Sequence, residues 1–151
     1  MRKLPCLLIF FGIALSAAAA AGETPVKVDV AVSPETVGAG SDASVVVTIA
    51  TKPGIKMNKY PKIKLQIPAV AGLIEGAEQS LGNAAPPPPD KMETNYFHGG
   101  VDPLKVTLHV DPQAEKGRHE VHAQLSYFYC VAASGYCAPA KAELTIPVTV
   151  R

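Results

Sequence analysis

The chain has 151 residues, 48% of them hydrophobic and 18% charged, with a formal net charge of +1. A balance this close to neutral, with no basic stripe, argues against a nucleic-acid partner. Three cysteines and no tryptophan complete the composition.

Arg2 and Lys3 open the chain, Leu4 to Leu15 is almost unbroken apolar sequence, and small residues run from Ser16 to Ala21. That order predicts a secretory signal over residues 1–21, with Ala19 and Ala21 in the A-x-A positions. The other reading, an uncleaved anchor, is weakened by the alanine-rich second half and by Gly12. Cys6 precedes the apolar core instead of ending it, which disfavours a lipoprotein signal. Cleavage leaves residues 22–151 as one domain, large enough for a hydrophobic core. Losing Arg2 and Lys3 takes the formal charge from +1 to about −1. No second apolar segment is long enough to cross a bilayer, so the mature protein is expected to be soluble, in the periplasm. Cys6 departs with the signal, and Cys130 and Cys137 remain in an oxidising compartment.

Val26, Val28, Val30 and Val32 alternate with Lys27, Asp29 and Ala31, the pattern of a half-buried strand. Ala43 to Thr51 is valine-rich and predicts a strand buried on both faces. Ile63, Leu65 and Ile67 alternate with polar residues and stop at Pro68. Ala69 to Asp90 is irregular, and Pro86 to Pro89 cannot donate ladder bonds, so this stretch is expected to be extended at an edge or in a loop. Lys91 to Phe97 reads as a short strand closed by Gly99-Gly100. Leu104 to Val110 alternates cleanly.

In His119 to Cys130, Val121, Ala123, Leu125, Tyr127 and Tyr129 share one face. In Lys141 to Val150, Ala142, Leu144, Ile146, Val148 and Val150 do the same. Two alternating runs with a short connection predict an antiparallel hairpin. No amphipathic helix and no repeat stand out. The fold class is therefore all-β, an antiparallel β-sandwich of immunoglobulin-like type.

The cysteines sit at the mouth of the predicted hairpin. Strands about 4.7–4.9 Å apart suit the Cα separation a disulfide needs. The simplest reading is a staple. Two features count against it: the bond would close only a local hairpin, and parity puts Cys130 on the polar face with Ser126, Gln124 and His122. A sulfur near the surface is open to thiol exchange.

The segment Ser126-Tyr-Phe-Tyr-Cys-Val-Ala-Ala-Ser-Gly-Tyr-Cys-Ala-Pro139 resembles the cysteine hairpin of the N-terminal periplasmic domain of the thiol:disulfide interchange protein DsbD family. Pro53-Gly54-Ile55-Lys56-Met57-Asn58 resembles a stretch after that family's second main strand. Asn95-Tyr96-Phe97-His98-Gly99 resembles the cap loop that covers its cysteines. The similarity runs from about Val26 to Val150. The loop between the cysteines is one residue longer than in the best-known member. Asn95 and Tyr96 stand where that protein has acidic residues, and His98 replaces an aromatic hydroxyl. The sequence contains no counterpart of the family's membrane or thioredoxin-like domains, so the resemblance implies a stand-alone domain.

The resemblance implies a protein-disulfide reductase component without a cofactor. It would work with a thioredoxin-like domain or another periplasmic redox protein. Cys137 would bond the partner, Cys130 would resolve, and Tyr96 and Phe97 would shield the sulfurs. Ordinary packing is the competing role for both aromatics. His98 could favour a thiolate, or be a solvated loop histidine. Two other classes stay open. One is a non-catalytic exported interaction module with a structural disulfide. The other is a copper protein using Met57, Met92, His98, Cys130 and Cys137, although these residues lack a tight ligand spacing and no metal site is assigned.

Overall fold

The computed structural model describes residues 24–151; the expected signal at residues 1–21 lies outside the described residues. Among the described residues nine strands follow in chain order: β1 (Val26–Ser33), β2 (Thr36–Val37), β3 (Asp42–Thr51), β4 (Ile55–Met57), β5 (Ile63–Ile67), β6 (Ala77–Leu81), β7 (Leu104–His109), β8 (Gly117–Val131) and β9 (Cys137–Val150). A 3-10 segment, Pro89–Asn95, lies between β6 and β7.

One sheet has the order β1-β3-β7, and the other β2-β9-β8-β5-β6 with β4 also paired to β8. Every pairing is antiparallel except the short β2–β9 contact, which is parallel. Sequence-distant strands are thus neighbours in both sheets, the Greek-key arrangement of an immunoglobulin-like sandwich.

Alternation explains the core. Val45 and Val47 of β3, Leu65 of β5, Leu108 of β7, Val121 and Leu125 of β8, and Ile146 of β9 are all fully buried between the sheets. Each such side chain contributes about 1.5–3 kcal/mol relative to exposure. β3 departs from its expected two-sided burial: Ala43, Val45, Val47 and Ile49 face the core while Ser44 and Thr48 are exposed. Among the described residues no third layer covers the three-stranded sheet, so its central strand alternates as an antiparallel strand with one wet face does.

The hairpin β8–β9 is the longest pairing, running from Gly117↔Val150 to Cys130↔Cys137. Val131 N–H donates to the Tyr136 carbonyl at 2.7 Å. Counting down the ladder from this bond puts Pro139 (opposite Phe128) and Pro147 (opposite Glu120) in the non-hydrogen-bonded pairs. Neither proline costs the hairpin a ladder bond, and both blunt the outer edge of β9.

Of the short strand expected over Lys91 to Phe97, only Tyr96 makes an isolated bridge, and Lys91 to Asn95 belong to the 3-10 segment. Pro89 at its start has the fixed φ that suits a helical turn, and Asp90 falls in the first turn. β6 had no signal because it pairs with β5 along a polar edge where none of its residues is fully buried.

Candidate functional site

The site lies at the end of β8 remote from Gly117, where three pieces of chain converge. β9 runs along one edge of β8. The other edge is shared by β5 at Gln124–Ser126 and β4 at Tyr129–Val131. Between them the chain bends away through Asn58 to Lys62, with Asn58 N–H still bonded to the Phe128 carbonyl at 3.0 Å.

A further extended segment adds to the free side of β4. Asn58 and Tyr96 form an antiparallel bridge. Phe97 N–H donates to the Met57 carbonyl at 3.0 Å and Lys59 N–H to the Asn95 carbonyl at 2.6 Å. The end of the 3-10 segment and the residues after it are thus fastened beside β4 by an isolated bridge and two main-chain bonds.

Register sets what this segment covers. Cys130 opposes both Cys137 and Lys56. Side chains at opposed positions share a face, and Asn58, two residues beyond Lys56, shares it too. Tyr96, bridged to Asn58, completes the row. Five side chains from four segments, Cys137, Cys130, Lys56, Asn58 and Tyr96, therefore meet on one surface.

Cys130 and Cys137 form a disulfide, with Cα atoms 4.0 Å apart. Their environments differ. Cys137 is exposed, whereas Cys130 is only 4% exposed. The expectation of a surface sulfur at Cys130 is therefore corrected. Its parity was right, since it lies on the opposite face from Leu125 and Tyr127. What parity did not show is that this face is roofed locally. Tyr96 Oη lies 3.8 Å from Cys130 Sγ, and Asn58 Oδ1 lies 3.5 Å from it. Asn58 is itself buried.

The roof is held in place on its outer side. Lys56 Nζ sits 4.8 Å from the centre of the Tyr96 ring and 3.8 Å from a Glu93 carboxylate oxygen. Asn95 points the other way from the sulfurs. It is buried, accepting from Tyr60 N–H at 2.9 Å and donating to the Tyr60 carbonyl at 3.0 Å. That reciprocal pair pins the segment to the loop whose Tyr60-Pro61 bond is cis. The loop is fixed from beneath by Gly82 and Asn83. Asn83 N–H donates to the Lys59 carbonyl at 2.8 Å, and a Cβ on Gly82 would fall 2.1 Å from that oxygen.

The remaining cap residues divide. Phe97 packs against the edge of the core and lies under Lys59 Nζ at 5.8 Å. His98 is exposed, its Nε2 3.2 Å from the Glu93 carbonyl. Gly99 is exposed with φ +82°, as a turn out of the segment. The residues weighed for copper do not gather: Met57 is buried in the core on the opposite face from Cys130, and Met92 is exposed. Among the described residues no three His, Cys, Asp or Glu side chains cluster as metal ligands.

The sequence does not by itself mark Asn58 and Lys56 as site residues. Their signal was present in the alternation of Ile55 to Asn58, which becomes readable only once β4 is known to pair with β8. Tyr127 and Tyr129 lie side by side on the inner face, ring centroids 6.4 Å apart and planes tilted by 50°. Burial, with a smaller contribution from Tyr129, raises the Tyr127 hydroxyl above its ordinary pKa of 10.0. Neither ring joins the sulfur row.

No protein-family model matches the chain, and no curated protein matches it. Solved structures with some likeness include the alkylpurine DNA glycosylase AlkC of Pseudomonas fluorescens, at 15% identity and a TM-score of 0.35, covering 83% of this chain and 30% of that one. Murine CRIg aligns at 12% identity and a TM-score of 0.35, covering 83% and 98% of the two chains. AggA, the major subunit of the type I aggregative adherence fimbriae of Escherichia coli, aligns at 20% identity and a TM-score of 0.34, covering 85% and 97%. Likeness at this level carries no functional argument. The immunoglobulin-like assignment stands on the chain's own strand order.

Proposed function

We propose that this protein is an exported thiol–disulfide exchange module, passing reducing equivalents through the Cys130–Cys137 pair to or from a thioredoxin-like partner. One observation carries the reading: the disulfide offers an exposed sulfur at Cys137 and a buried one at Cys130, beneath a separately fastened cover. Exchange proceeds by attack of a thiolate on one sulfur of a disulfide, and access decides which. Here access favours Cys137 as the sulfur that bonds the partner, leaving Cys130 to resolve. The same assignment follows from the resemblance to the periplasmic domain of the DsbD family, and so does the covering role of Tyr96; Phe97, which that resemblance also casts as a shield, packs against the core edge instead.

The other reading is a structural disulfide in a non-catalytic interaction domain, and the burial of Cys130 favours it. Against it stands the location. The bond joins two strands already paired without interruption over the whole hairpin, so it closes a loop that is closed already.

Trapping tests the proposal. In Cys130→Ser the exposed Cys137 is expected to form a stable mixed disulfide with an oxidised thioredoxin-like domain, because no resolving thiol remains. Cys137→Ser, with its single thiol buried, is expected to trap far less. Equal or absent trapping by both variants would contradict the assignment.

A further inference from the structure

We propose that Tyr96 is a catalytic residue of this exchange, its hydroxyl donating a hydrogen bond to the Cys130 sulfur as that sulfur leaves, opposite the Asn58 carboxamide. The inference rests on the exchange reading, and deepens it by assigning a chemical task to a residue otherwise read as a cover.

The leaving sulfur poses the problem. Attack on Cys137 expels Cys130 as a thiolate into a buried site, where loss of water disfavours the charge. A leaving thiol of high pKa leaves slowly. A donor at Cys130 Sγ offsets both effects, and the structure places a hydroxyl there at 3.8 Å. Packing explains the ring of Tyr96 but not the hydroxyl, since phenylalanine would cover the sulfur equally well. The bridge to Asn58 and the Lys56 ammonium above the ring hold the hydroxyl in that direction. Asn58 supplies what the next state needs. Once Cys130 is protonated, its S–H has an acceptor in Asn58 Oδ1, 3.5 Å away.

The chemistry balances with a dithiol as reductant. Its thiolate forms a bond to Cys137 Sγ, the Cys130–Cys137 bond breaks, and the electron pair leaves on Cys130 Sγ. Tyr96 donates to that thiolate, which takes its proton from water. The second thiolate of the reductant then attacks its own sulfur in the mixed disulfide, closing the reductant's disulfide and releasing Cys137. Two electrons have passed to the pair.

The test uses Tyr96→Phe, which keeps the ring and removes the oxygen, with Tyr136→Phe at the exposed hairpin tip as control. Dithiothreitol serves as reductant, so no protein partner is needed. A hydrogen bond to a charged group is strong enough that its loss is expected to slow reduction about tenfold or more. In a Cys137→Ser background, the Cys130 thiol followed by thiolate absorbance is expected to titrate at higher pH when Tyr96 is also changed to Phe. An unchanged rate overturns the proposal. So does a slower rate with an unchanged titration, since the hydroxyl would then act on access alone. Failure with thioredoxin-like partners, alongside the expected dithiothreitol and titration results, would sink the exchange reading and leave the role of Tyr96 at Cys130 intact.

Discussion

Reducing the Cys130–Cys137 bond separates a working disulfide from a staple, because only a working one must leave a folded protein behind. The two cysteines are 7 residues apart in sequence. The chain-entropy model credits a loop this short with about 2.4 kcal/mol at 25 °C. That is an upper figure here. The ladder from Gly117↔Val150 onward brings the strands together without the bond, and the core residues Val121, Leu125, Ile146 and Val148 are far along it. A domain of ordinary stability, about 5–15 kcal/mol, survives such a loss. With a melting-temperature change of about 3–5 °C per kcal/mol for a chain of this size, reduction is expected to lower Tm by no more than about 12 °C. Thermal melts followed by far-UV circular dichroism, with and without a phosphine reductant, read this directly. Unfolding of the protein at 25 °C on reduction would refute the reasoning and leave the disulfide as a structural element.

Other consequences concern the cover and its supports. Lys56→Met removes the ammonium from the Tyr96 ring, a contact worth about 0.5–1 kcal/mol at an exposed site, so glutathione should reach the disulfide about two- to fivefold faster. Asn95→Ala strips both side-chain partners from Tyr60, and urea denaturation should show a loss of about 2–3 kcal/mol together with faster attack by small thiols. Gly82→Ala would push a Cβ into the Lys59 carbonyl at a φ of +125°, and should destabilise the fold, read in the same titration. The raised hydroxyl of Tyr127 fixes a sign at alkaline pH. The unfolded chain ionises this tyrosine first, so its contribution is fully present below pH 10.0, the ordinary tyrosine value, and is lost as pH rises through the higher folded value. Denaturation midpoints should therefore fall above pH 10.0, and fall less in Tyr127→Phe, once the two proteins are compared from their own neutral values.

Much of the fold is legible in the sequence where burial is one-sided and long. β1, β5, β7, β8 and β9 declare themselves by alternation, and the hairpin of the last two follows from their lengths. β3 misled because Val46 is an outward-facing valine, only half-buried, and a run of valines looks alike whether one or both faces are covered. β6 left no pattern because its edge is polar, and β4 is too short to show a period.

The site was legible in part. The cysteine pair and the segment Asn95 to Gly99 stand out, yet the burial of Cys130 does not, because the roof comes from a distant segment bridged to Asn58. Parity assigns a side chain to a face; it does not say what tertiary structure lays over that face. The same reasoning divides the cap. Tyr96 turns to the sulfur because it opposes Asn58, while its neighbours Asn95 and Phe97 turn to the far side of the segment.

The reduction potential of the Cys130–Cys137 pair tests the central claim most directly. Equilibration against a graded dithiol buffer, with the thiols quenched and counted by mass, gives the value. An exchange module requires a potential well above the roughly −300 mV below which structural disulfides lie. A pair that stays oxidised when poised at the thioredoxin potential, about −270 mV, would contradict it.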